Sequence, residues 1–119
     1  MAEPGFAGQL AEDLSPDDLR HVLTVFRADV GQLIQAMGVA ANAGDVVSFR
    51  RVAHGLAGAA GAVGADRLEQ GCRLVMTRAD IGPAELPQAH AGIAALGDSA
   101  LDDLRDFLAR LDGAQQDGR

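Results

Sequence analysis

The chain has no tryptophan, no tyrosine and only four phenylalanines in 119 residues, so the aromatic residues that favour strands are scarce. No segment alternates with period two, and helices are therefore the expected element. A single cysteine, Cys72, excludes an internal disulfide and any all-cysteine metal cage. A small buried core residue is its simplest reading. No apolar run approaches the roughly 20 residues needed to cross a bilayer. The amino-terminal stretch holds Glu3, Pro4 and two glycines where a signal peptide would carry a basic region and an apolar core, so a cytoplasmic location is expected, with no membrane contact. Basic residues are in the minority, ten against seventeen acidic, for a net charge of -7. That field repels phosphate backbones and anionic lipid, and nucleic acid is not an expected partner.

What the chain does contain is globular in composition, with 48% hydrophobic and 23% charged residues. Its length suits one domain spanning 1–119. Ser15-Pro16-Asp17-Asp18 is a helix start, with a capping hydroxyl, a proline suited to the first turn and two carboxylates at the positive helix end. Leu19, Val22, Leu23, Phe26, Val30, Leu33, Ile34 and Met37 follow at three- and four-residue steps, and Asn42-Ala43-Gly44 supplies the stop. Asp45 caps a second helix whose stripe is Phe49, Ala53, Leu56, Ala60 and Val63, ended by Gly64. Asp66, with Glu69 three residues on as in a capping box, opens a third carrying Leu68, Cys72, Val75 and Met76. After a linker punctuated by Pro83 and Pro87, Ile93, Leu96, Leu101, Leu104, Leu108 and Leu111 mark a fourth, ending before Gly113.

The fold expected is all-α, an antiparallel up-and-down four-helix bundle over 15–112, with a tail over 113–119. A short extra helix carrying Phe6, Leu10 and Leu14 is expected within an amino-terminal extension over 1–14. At about 100° per residue, the side of the second helix opposite its stripe holds Val47, Arg50, His54, Gly58 and Gly61, flanked by Arg51 and Ala57. An imidazole on a water-facing surface is a competent nucleophile near neutral pH. Gly55, Gly58 and Gly61 each cost roughly 1 kcal/mol relative to alanine in a helix interior. At Gly58 and Gly61 this suggests a low-relief surface that lets another protein reach His54; at Gly55, close packing of neighbouring helices is the better explanation. His21 and His90 have no partner at catalytic or chelating spacing, and no metal site is expected.

The run Ala53-His54-Gly55-Leu56-Ala57-Gly58, the small residues that follow it, and Gly64-Ala65-Asp66-Arg67-Leu68 resemble the signature of histidine-containing phosphotransfer (HPt) domains. The similarity extends over most of residues 16–80. It implies a bundle whose exposed histidine, here His54, accepts a phosphoryl group from a sensor or hybrid histidine kinase, or from a response-regulator receiver domain. It also implies that Gly58 leaves room beside the phosphoryl group. Such a carrier is not an enzyme and binds no cofactor; the partner receiver supplies the Mg²⁺ and the aspartate. Ala57 stands where the family usually has lysine, and Arg50 and Arg51, one turn before His54, are the candidates to contact the phosphoryl oxygens instead. Val47, Gly58 and Gly61 are the expected docking contacts. One accessible histidine on a short bundle is compatible with action as a monomer. The competing reading is a helical adaptor that docks receivers or kinases without carrying phosphate.

Overall fold

The computed structural model describes residues 5–117, with side chains as far as 113. Five helices form: α1 (Gly8–Asp13), α2 (Pro16–Ala43), α3 (Val46–Val63), α4 (Asp66–Thr77) and α5 (Leu86–Asp117), the last preceded by a 3-10 turn at Pro83–Glu85. The caps explain most of these limits. The Ser15 hydroxyl accepts from the Asp18 amide at 3.2 Å, and the Asp45 carboxylate accepts from the Ser48 amide at 3.0 Å. Gly44 and Gly64, at φ 68° and 75°, turn the chain in the left-handed conformation that other residues adopt at a cost.

Successive helices pack side by side and α5 closes the ring against both α4 and α2, giving an antiparallel bundle that α1 joins through α2 and α3. All five stripe residues of α3 are buried, as are Leu68, Cys72 and Val75 of α4. They meet Leu23, Val30 and Met37 of α2 and Leu86, Ile93 and Leu104 of α5 in one core. Gly97 of α5 faces Ile34 of α2 so closely that a Cβ there would overlap the isoleucine Cδ1. A glycine that weakens α5 locally thus permits close approach of the two helices.

Two sequence expectations are corrected. The capping box at Asp66 does not form: Ala65 is the N-cap and makes no side-chain bond, and Glu69 turns to Arg73 instead. The fourth bundle helix begins at Leu86 and runs through Gly113 to Asp117. A single helical glycine costs about 1 kcal/mol, which the flanking Leu108 and Leu111 contacts offset. His90 is half-buried, its ring nitrogen 3.0 Å from the Ile34 carbonyl and its edge seated against Gly38.

The amino-terminal segment plugs one end of the bundle. Phe6 is 4% exposed and meets Phe26 and Phe107 edge-on, with ring centroids at 6.4 and 6.0 Å. The Ala7 amide donates to the Val63 carbonyl at 2.6 Å, supplying a partner to one of the last carbonyls of α3.

Candidate functional site

His54 lies in the middle of α3, held there by the buried Ala53 and Leu56 on either side of it in sequence, and its side chain is exposed. Among the described residues no hydrogen bond or ion pair restrains the ring. His21 is also exposed but lies in α2 without an ionisable group grouped around it as a metal site, and no group of three potential metal ligands exists among the described residues.

The exposed face of α3 consists of Val47, Arg51, His54, Gly55, Gly58, Gly61 and Ala62. Relative to the helical-wheel expectation it is turned away from Arg50 and Ala57. The cause is α4, which packs along that side of α3. Ala57 is 1% exposed and belongs to the core, so it is not part of any contact surface. Arg50 is half-buried, and its Nη2 donates to the Arg78 carbonyl just beyond the end of α4. It supplies one of the partners that helix carbonyls at a C-terminus lack. Arg50 Nε is buried with no partner among the described residues. Arg51 stays exposed, and the Asp45 carboxyl is held below the ordinary carboxylate range, first by its hydrogen bonds from Ser48 and to a smaller extent by the Arg51 charge.

The three glycines differ in what surrounds them. A Cβ on Gly58 would meet nothing within 4 Å, so its missing side chain leaves open space beside His54. At Gly55 a Cβ would touch Leu33 Cδ2 at 3.9 Å, an ordinary contact, so close helix packing does not explain it. Gly61 is the one whose space is filled: the Glu69 Oε2 lies 2.9 Å from where its Cβ would stand. That carboxylate accepts from Arg73 Nε at 3.0 Å and Nη2 at 2.7 Å.

Sequence periodicity passed over the α2 side of the surface. Val25 and Val39 are 45% and 67% exposed, and with Val47, at 70%, they supply three of the four large hydrophobic residues exposed among the described ones. Val25 and Val39 fall at heptad spacing with Gln32 and outside the buried stripe of α2, a signal present in the sequence but masked by the more regular stripe next to it. The half-buried Leu33 joins this row to Gly55.

A four-helix bundle with a free histidine at the centre of a small-residue surface is the arrangement that the resemblance implied. The family model of the Hpt domain matches residues 21–114. The chain belongs to the Hpt domain family. No curated protein and no solved structure matches it significantly. Hpt domains are phosphocarriers in phosphorelay signalling, and histidine phosphotransfer is the activity that membership implies. The matched stretch contains all of α3 and α4 and starts after α1 and the Ser15 cap. No helix among the described residues is long and apolar enough to cross a membrane.

Proposed function

We propose that this Hpt domain carries a phosphoryl group on His54, taking it from the aspartyl phosphate of one receiver domain and yielding it to another. The observation that carries the reading is the unrestrained imidazole of His54 beside the open space at Gly58. A lone pair on the ring nitrogen attacks phosphorus, the phosphorus–oxygen bond to the aspartate breaks, and the bonding pair returns to the carboxylate. The neutral imidazole keeps its proton on the other nitrogen, so no base is needed in the step. The chain's contribution is placement of the nucleophile, while the Mg²⁺ belongs to the acidic pocket of the partner receiver. Arg51 faces that acidic pocket and steers it. Val25, Val39 and Val47 add exposed apolar area on α2 and α3, which favours a protein partner over a small substrate. The domain acts as a monomer in the cytoplasm, receiving phosphate ultimately from a sensor histidine kinase.

The adaptor reading draws on Ala57, which provides no cation beside the histidine. Incubation with a phosphorylated receiver separates the two. Transfer should place an acid-labile, base-stable label on the chain, and His54→Gln should abolish it. Binding without labelling would establish the adaptor.

A further inference from the structure

The chain contains no lysine, and all ten of its basic residues are arginines. If a cation of this chain neutralises phosphate on His54, it is therefore a guanidinium. Arg50 is held by the Arg78 carbonyl and Arg78 by Asp80 and Glu85, while Arg51 is exposed near the start of α3. A second candidate comes from the next helix. Arg50 reaches Arg78 and Gly61 faces Glu69, so α4 runs antiparallel to α3 in a register that sets Arg73 beside residues 55–57. Measured along the α3 axis, that level is within about one helical turn of His54, on the flank where Ala57 is buried and carries no charge.

We propose that Arg73 is the phosphoryl-binding cation of this carrier, parked on Glu69 while His54 is free and transferred to the phosphoryl oxygens once His54 is modified. The proposal rests on His54 being the phosphoacceptor. The Glu69–Arg73 pair is well suited to such an exchange. It is an exposed i,i+4 pair, with side chains 25% and 55% accessible, of a kind that contributes only about 0.3–0.5 kcal/mol. A phosphoryl dianion offers twice the charge of the carboxylate and a fork-shaped match to the guanidinium. Gly61 lies beside the pair: a Cβ there would come within 2.9 Å of Glu69 Oε2, so a side chain would shift the end of the carboxylate that holds the arginine. Arg50 differs in kind, because releasing it would strip a partner from a carbonyl at the end of α4.

The test uses the full chain phosphorylated on histidine by phosphoramidate, which needs no protein partner, and follows the ³¹P resonance. Arg73→Ala should reduce phosphohistidine occupancy at equilibrium with a phosphorylated receiver roughly fivefold. It should also raise the pH at which the phosphoryl group titrates, since a cation favours the dianion. Arg73→Lys should recover part of both effects. Glu69→Gln frees the guanidinium and should shift both in the opposite direction, a gain that the double variant with Arg73→Ala should lose. Circular dichroism checks that each variant is folded; should Arg73→Ala unfold, Arg73→Lys and Glu69→Gln still decide the matter. A labelled His54 whose occupancy and titration are the same in all variants overturns the role of Arg73 alone. Failure of His54 to take phosphate from either donor overturns the phosphocarrier reading, and this proposal with it.

Discussion

At the scale of single residues, the space around His54 matters more than any group bonded to it. Gly58 has open space where its side chain would stand, so the fold places no steric limit on substitution there. Gly58→Ala should therefore stabilise the domain by about 1 kcal/mol, through helix propensity, as measured by urea denaturation. Gly58→Gln should leave the fold intact but reduce phosphate transfer from a receiver by on the order of tenfold or more, because it separates the reacting centres. Its labelling by phosphoramidate should change little. Equal losses with both donors would mean that the glycine acts on the imidazole itself and not on the approach of the partner. The lone thiol has no part in this chemistry. Cys72 is fully buried, and desolvation pushes it up to about 11, so it remains a protonated core residue near neutral pH.

At the scale of elements, the Asp45 cap, nine residues before His54, sets where α3 begins. Asp45 makes its bond to Ser48 as a carboxylate, and its pKa is lowered below 3.8 in the fold. A lowered folded-state pKa means that the stabilisation is fully present above the unfolded value and is lost as the pH falls through the folded one. Hydrogen exchange in the first turn of α3 should accelerate below about pH 4, and Asp45→Asn should remove most of that pH dependence. An unchanged profile in the variant would assign the acid sensitivity to another group. These caps were legible in the sequence because they depend on residues a few positions apart, and so were the stripes of α2, α3 and α4. The rotation of the exposed face was not. Helical periodicity places Arg50 and Ala57 beside His54, but it holds no information about which neighbour covers them, and α4 covers both. The fate of Glu69 was hidden for the same reason: local sequence offered a capping box, while the tertiary arrangement offered Arg73 and the empty side of Gly61. The end of α5 was misplaced because a glycine weighs heavily in local propensity and lightly once the flanking leucines pack.

At the scale of the whole molecule, stability and function are located at different levels along the bundle. The aromatic contacts of Phe6 close the end where α3 finishes, nine residues beyond His54, and Phe6 itself precedes the stretch that matches the Hpt domain. Phe6→Ala should cost about 3 kcal/mol, the usual consequence of emptying a buried aromatic site. Molecules that remain folded should transfer phosphate at the parental rate. A loss of transfer without a loss of stability would show the plug to be coupled to the histidine. The same separation bears on how the protein can be handled. Gly55 rests on Leu33 and Gly97 on Ile34, so His54 is level with the first third of α5. The remaining 20 or so residues of that helix carry the chain roughly 30 Å onward. A dye, bead or sensor chip attached beyond Asp117 would thus sit well clear of the imidazole, and relay partners could be assayed on immobilised protein without obstruction.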